Sequence, residues 1–400
     1  MKNHRYTSLL VLAAASVTTL SAQPAVSVED RLAHLEASLA RVEQHVNQSV
    51  TADDLAPALK ELNELNRQLG WDGKSQLTVV KSAGVETKLA LGGFVHANFE
   101  SGTAPDSRWA GINDRFLLRR ARLFAAGAFA EDMAFKIESD FGNNSLSAKT
   151  GLSGQLTDAF VAWTKFPAAN VKLGQFKTPF GYEQLTSDTK IYTIERSLPN
   201  DKLTQGRQIG GQIGGDLFGK RASYSVAAFN GTGTNIGSND SQKFMWVGRL
   251  GAVVLDGKLA GQKAKLTTGA NYFTTVDKGA FTGRRFGTGV DAQFAVGPAE
   301  IQAELLRNDS HPAIGKATAA NGWALLGALN FTKQWQGVVR YETFDSNTAA
   351  ANATTNVWTY GVNYLIRGDD LKLSLDYLSG RQPTPAPHGD RVIGRLQVMF

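Results

Sequence analysis

From Lys88 onward, segments of about ten residues place an apolar side chain at every second position, the periodicity of a strand with two unlike faces. Leu89, Leu91, Val95 and Phe99 mark the first such segment, and Phe286, Thr288, Val290, Ala292, Phe294 and Val296 a later one. The intervening Asp291 and Gln293 accept water, so one face avoids solvent and the other does not. Sixteen segments can be traced: 88–101, 115–130, 133–141, 155–166, 170–177, 207–217, 221–230, 243–255, 264–276, 284–296, 299–308, 321–332, 335–344, 355–367, 371–379 and 391–400. Their connections alternate between short turns (131–132, 167–169, 218–220, 297–298, 333–334, 368–370) and long polar loops (102–114, 142–154, 178–206, 231–242, 309–320, 345–354, 380–390). A soluble sandwich can alternate, but it has no reason to sort its loops by length. An even strand count with short turns on one side and long loops on the other predicts an all-β fold, a 16-stranded antiparallel transmembrane β-barrel.

The N-terminal quarter follows other rules. Lys2, His4 and Arg5 precede an apolar stretch from Leu9 to Val17 that ends on Ser21 and Ala22, the order of an export signal over residues 1–22. A short N-terminal helix of a cytosolic protein is the alternative. Residues 23–75 read as a helical segment: Val28, Leu32, Leu35, Leu39, Val42 and Val46 step by four and three along a coiled-coil seam, and Asp53, Asp54 and Pro57 open a second helix that stops at Gly70. Such a length either joins chains already held together or packs as a lone amphipathic helix. The barrel is then expected over 76–400. At the other end Val392, Leu396, Val398 and Phe400 run at period two to a terminal aromatic, which resembles the last strand of bacterial outer-membrane barrels.

Composition excludes several chemistries. With no cysteine in 400 residues there is neither a disulfide framework nor a thiol nucleophile, and six scattered histidines offer little to a metal. No cofactor is implied. A nucleic-acid partner is not expected either, because loss of Lys2 and Arg5 with the signal lowers the formal charge from +6 to +4 and leaves no dense basic cluster.

Side chains cannot fill a barrel of about sixteen strands, so a water-filled channel is the default expectation and its selectivity lies in the lining and in any loop that folds inward. The longest connection, 178–206, is the constriction candidate, since Phe180, Tyr182, Leu185, Ile191, Tyr192 and Ile194 need somewhere to pack. Packing on neighbouring external loops would also satisfy them. On the second strand Ala121, Leu123, Ala125 and Phe129 face lipid, which turns Arg120 and Arg122 into the lumen and leaves Arg119 at a bulge or near the turn. The same parity sends Lys136, Arg249, Arg285, Arg340 and Arg395 inward together with Glu138, Asp140, Asp158, Asp291 and Asp376, a mixed lining. Within the constriction candidate Lys177, Lys190, Arg196 and Lys202 balance Glu183, Asp188, Glu195 and Asp201, and pairs such as those of Glu195 and Arg196 could serve to hold the loop on the wall.

Several runs match a known family. Arg119-Arg120-Ala121-Arg122, Asp158-Ala159-Phe160, the stretch from Gly174 to Gly181 (GQFKTPFG), Leu185-Thr186-Ser187 and the stretch from Glu195 to Asn200 (ERSLPN) resemble the phosphate-selective porin O and P family over roughly residues 89 to 230. The resemblance implies a homotrimeric channel in outer-membrane lipid through which arginines and lysines guide phosphate or other small anions. The residues assigned to the anion-conducting lining and constriction are Arg119, Arg120, Arg122, Lys136, Lys177, Arg196 and Arg207. Family members that select phosphate are similar to one another in a Gly-Gly-Arg on the first strand, where this chain has Gly92-Gly93-Phe94. Phenylalanine cannot donate to a phosphate oxygen, and arginine's planar fork is the group suited to it.

A general, non-selective porin is therefore the alternative function. An outer-membrane enzyme would need a nucleophile beside a base, and the barrel region offers only His96, His311 and His388 with no Gly-x-Ser-x-Gly elbow. Asp140 and Asp158 are expected to pair with arginine rather than to form a catalytic dyad.

Overall fold

The structure, a computed structural model, describes residues 77–82 and 86–400 except 130–131, 143–145, 147–151, 153, 384 and 387. The export signal at 1–22 and the helical segment at 23–75 lie outside the described residues. The chain divides into two compact units, 1–88 and 89–400. The described part of the first includes a short strand, Leu77–Ser82.

The second unit is a barrel of sixteen antiparallel strands. They are β1 (Glu86–Gly102), β2 (Arg115–Phe129), β3 (Met133–Asp140), β4 (Gln155–Trp163), β5 (Asn170–Lys177), β6 (Arg207–Leu217), β7 (Ala222–Phe229) and β8 (Met245–Leu259). The rest are β9 (Gln262–Asp277), β10 (Gly283–Val296), β11 (Ala299–Pro312), β12 (Thr318–Asn330), β13 (Trp335–Asp345), β14 (Thr354–Leu365), β15 (Leu371–Arg381) and β16 (His388–Met399). Each pairs with its sequence neighbours, and β16 closes on β1 in the register Arg391↔Gly102 to Met399↔Phe94. Closure leaves no strand edge, as a bilayer demands. Reciprocal backbone bonds between Gly93 and Phe400 (2.8 and 3.0 Å) tie the last residue into the seam.

Alternation sets the two faces. On β15, Leu373, Leu375 and Tyr377 are exposed outward while Ser374, Asp376 and Leu378 are buried inward. An outward ladder of aromatic rings, Tyr341–Trp358–Tyr360–Tyr377, runs across β13 to β15 with centroids 4.7–6.5 Å apart, where interfacial aromatics are expected.

All sixteen expected strands are present, with one systematic difference: some hairpins are longer. The gap expected between residues 255 and 264 closes to the turn Ala260-Gly261, and the loop expected at 309–320 shortens to 313–317. Hydropathy marks only the lipid-facing band, whereas the ladder needs only backbone bonds and runs on through polar pairs such as Lys265↔Asp256.

The lumen is not simply open water. Phe176, Ala227, Phe229, Met245, Val247, Phe273 and Leu306 point inward from β5, β7, β8, β9 and β11, and with Phe180 and Leu203 of the 178–206 loop they form a dry cluster inside the barrel.

Candidate functional site

The 178–206 loop leaves the barrel wall through a neck closed by Thr178 N–H to Gly206 C=O (2.9 Å) and turns inward. Its start carries Gly181 at φ +85°, a left-handed conformation that disfavours side chains. Two short helices follow, α1 (Tyr182–Leu185) and α2 (Leu198–Leu203). Ser197 caps α2 by accepting from Asn200 N–H, with Pro199 in the first turn. Glu183 accepts from the Ser197 amide (3.0 Å) and hydroxyl (2.6 Å), fastening one helix to the other.

The loop then crosses the lumen to the far wall. Tyr182 N–H donates to Glu304 (2.5 Å) and Tyr192 hydroxyl to Glu300 (2.6 Å) on β11. Arg340 of β13 donates to the Glu195 carbonyl (2.8 Å), Asn363 of β14 to the Tyr192 carbonyl (2.8 Å) and Lys372 of β15 to the Thr189 carbonyl (3.1 Å). Ile194 N–H reaches Asp376 (2.7 Å), and Arg395 of β16 holds the Ile194 carbonyl (2.5 Å). Pinned to β11 and β13–β16, the loop leaves free space against β2, β4, β5 and β6. That space, a cavity of about 210 Å³ that we take as the solute passage, is lined by Arg108, Arg119, Arg120, Arg122, Lys177, Arg196 and Arg207 together with Asp188, Glu195 and Asp201.

The expected lining residues thus converge, with one exception: Lys136 does not line the passage and instead bridges Glu138 and Asp158 (2.9 Å each). Arg119 and Arg120 both turn inward, since both meet Glu195. Phe116, Leu118 and Leu123 are exposed outward, so the alternation slips between Leu118 and Leu123, which lets adjacent arginines face the same way.

Two loop carboxylates organise the arginines. Glu195 receives Arg119 through Nε (2.9 Å) and Nη2 (3.1 Å) and Arg395 through Nη2 (2.5 Å). Asp188 receives Arg122 (2.7 Å) and Arg196 (2.5 Å). Arg122 is further held by Asp140 (2.8 Å) and Glu138 (3.4 Å), and Arg207 by Asp158 (2.7 Å). Lys177 donates to a neutral acceptor, the Thr186 carbonyl (2.9 Å). Arg120 is different: it is 3% exposed, lies 3.3 Å from Asp188 and 3.5 Å from Glu195, and its Nε and Nη1 have no hydrogen-bond partner among the described residues.

The family assignment follows from the pattern that carries these residues. The sequence profile of the phosphate-selective porin O and P family matches residues 89–250 and 257–400. The chain belongs to that family. Porin O of Pseudomonas aeruginosa is 28% identical over 112 residues, a match spanning 28% of this chain and 25% of that protein. Among solved structures, an anion-selective porin from Comamonas acidovorans is similar with a TM-score of 0.61 and 14% identity, over 79% of this chain and 100% of that one. The outer membrane channel DcaP of Acinetobacter baumannii is similar at 0.58 and 16% identity, over 80% and 99%. At such identities these likenesses show a shared fold. The porin belongs in the bacterial outer membrane, and family and barrel point to a channel rather than an enzyme.

Within this porin Phe94, which follows Gly92 and Gly93 on β1, is buried. Its ring lies 5.4 Å from the Arg122 guanidinium and 4.8 Å from the His96 ring, covering a face of an arginine that three carboxylates already hold. The glycine of a second motif serves packing. Gly174, which opens GQFKTPFG, sits at φ +129° where a methyl group would strike the Ala159 carbonyl. Sequence reasoning missed Arg108. The only local sign is Asp106-Ser107-Arg108-Trp109, a capping acid ahead of a cation and a large ring in a loop otherwise read as polar.

Burial pushes the carboxyls of Asp188 and Glu195 up, but the arginines around them win and hold both well below the ordinary range. For Asp188 these are Arg120, Arg196 and Arg122, and for Glu195 they are Arg119, Arg120 and Arg395. A depressed folded pKa gives stability that is complete above the unfolded value of about 4 and is lost as pH falls through the folded value. Asp188→Asn should therefore shift the reversal potential in a salt gradient by the same amount at pH 8 and at pH 5. The difference from the parent should vanish only in stronger acid. A difference already gone at pH 5 would show that Asp188 is protonated there and not held by its arginines.

Proposed function

We propose that this porin is a passive diffusion channel preferring small anions, with phosphate the leading solute, assembled as a homotrimer. Residues 1–22 would direct export, and 23–75 would make up a separate segment ahead of the barrel. The observation that carries the reading is the charge of the passage, seven cationic side chains against three carboxylates, with two donor atoms of Arg120 unpartnered among the described residues. Preorganised donors in a narrow, partly desolvated passage replace the hydration shell of an anion and leave a cation without compensation. Arg119, Arg122, Arg196 and Arg207 are paired with carboxylates, while Arg120 and Lys177 add positive field without a hydrogen-bonded carboxylate.

The second reading, a non-selective porin, has its own support in Phe94 and in the three carboxylates around Arg122. Single-channel recording of the purified mature protein under a KCl gradient, with phosphate then added, separates the two. Anion-selective reversal with block of chloride current by phosphate is the expected result. A large conductance with no charge preference and no block overturns it and leaves the general porin.

A further inference from the structure

Loop 103–114 follows β1 and, by sequence, looks like a solvated flap. It folds into the barrel instead. Its backbone crosses the rim at Gly380 and Gly389, register partners on β15 and β16, where a methyl group on either would run into the carbonyl of Pro105 or Ala104. Thr103 N–H to the Asp390 carbonyl (2.7 Å) and the Gln382 side-chain amide to the Ala104 carbonyl (2.9 Å) hold the crossing. Trp109 is then fully buried with Ile112, Ile194, Val357, Leu378 and Ile393, a cluster shared by the loop, the constriction loop and the wall.

Arg108 makes the polar half of that contact. Asp106 takes its Nε (3.0 Å) and Nη2 (2.8 Å) in a bidentate pair and also caps its own backbone turn through Arg108 N–H (2.8 Å). The remaining Nη1 donates to the carbonyl of Arg196 (2.7 Å). Glu342 lies 3.6 Å from Nη2, pairs with Arg340 (2.9 Å) and accepts from Leu198 N–H (3.3 Å). Arg340 in turn holds the carbonyl of Glu195 (2.8 Å). Two adjacent carbonyls of the constriction loop, Glu195 and Arg196, are therefore held by two arginines that share Glu342, Arg340 of the wall and Arg108 of the first loop. Fixing both peptide planes dictates where the two side chains go: Glu195 onto Arg119 and Arg395, and Arg196 onto Asp188.

We propose that loop 103–114 is a latch on the constriction loop, that Arg108 is its positioning residue, and that the latch keeps Glu195 and Asp188 occupied by other arginines so that Nε and Nη1 of Arg120 stay without a carboxylate partner. Its effect on selectivity rests on the anion-channel reading; the latch itself does not. The Gly380–Gly389 pair is the notch that admits the latch.

The chain lacks cysteine, so Ile194→Cys supplies a single reporter at a position 2% exposed in the cluster with Trp109. Labelling of this reporter by a charged thiol reagent is measured in the folded porin, alone and with Arg108→Ala, Arg108→Lys or Gly389→Val. Arg108→Lys keeps the charge in the passage but loses the fork, and Gly389→Val displaces the crossing without touching any charge. Each of the three is expected to raise the labelling rate about tenfold or more, the effect of losing one charged hydrogen bond or its equivalent in packing. All three should also move the reversal potential towards zero as Glu195 turns to Arg120. Unchanged labelling in Arg108→Lys and Gly389→Val overturns the latch, whatever the currents do. Raised labelling with an unchanged reversal potential upholds the latch and overturns its link to Arg120.

Discussion

Arg120→Ala is expected to collapse the anion preference of the channel, moving the reversal potential in a KCl gradient towards or past zero and abolishing block by phosphate. Most of the other arginines along the passage are spent: Arg119 on Glu195, Arg122 on Asp140, Glu138 and Asp188, Arg196 on Asp188, Arg207 on Asp158 and Arg108 on Asp106. Removing Arg120 deletes a cation that carries no close hydrogen-bonded carboxylate and leaves Asp188 and Glu195 less compensated, so the passage loses one full unit of positive charge. A unit charge about 4 Å from a solute is worth about 1 kcal/mol in water and about 4 at an effective dielectric of 20, a range from roughly fivefold upward in local anion occupancy. Lys177→Ala should act in the same direction, because its ammonium donates to a carbonyl and is not neutralised. Lys136→Ala is the control, since Lys136 bridges Glu138 and Asp158 and does not line the passage. A shift from Lys136→Ala as large as that from Arg120→Ala would mean that selectivity is set by the charge of the lumen as a whole and not by this constriction.

How far the site was legible in the sequence depends on what each residue answers to. Lipid outside and water inside impose period two on every strand, which is why the strand pattern could be read to within a few residues and why it failed only at hairpin ends such as Asp256–Lys265, past the lipid band. The apolar content of 178–206 pointed inward for a sound reason: Phe180, Ile191 and Ile194 are buried there, although Leu185 stays partly exposed. Arg120 and Arg122 follow from parity alone. Arg119 does not, because its inward turn needs a slip in the alternation whose benefit comes from Glu195, a residue 76 positions away. Arg108 is harder still, since its partners, the Arg196 carbonyl and Glu342, come together only after two loops have folded into one lumen. Phe94 was legible as the loss of a donor, and the stacking of its ring on Arg122 was not.

Glu195→Gln should have the opposite effect on selectivity and the largest effect on stability. The substitution keeps shape and one acceptor but removes the charge that Arg119, Arg120 and Arg395 share, leaving three guanidinium groups crowded in a site 5% exposed. Removing one partner of a buried ion pair typically costs about 3–5 kcal/mol, because the remaining charge stays buried without compensation. The denaturant midpoint of the folded porin should fall accordingly, and the passage, now more positive, should become more anion-selective in whatever fraction stays folded. A second change, Arg119→Gln in the Glu195→Gln background, should restore part of the lost stability by relieving the repulsion, with a coupling energy beyond the few tenths of a kcal/mol expected of independent sites. Additive effects would mean that Arg119 and Glu195 do not depend on each other in the folded channel, and that the loop is held by its other bonds, such as those to Asp376, Arg340 and Arg395.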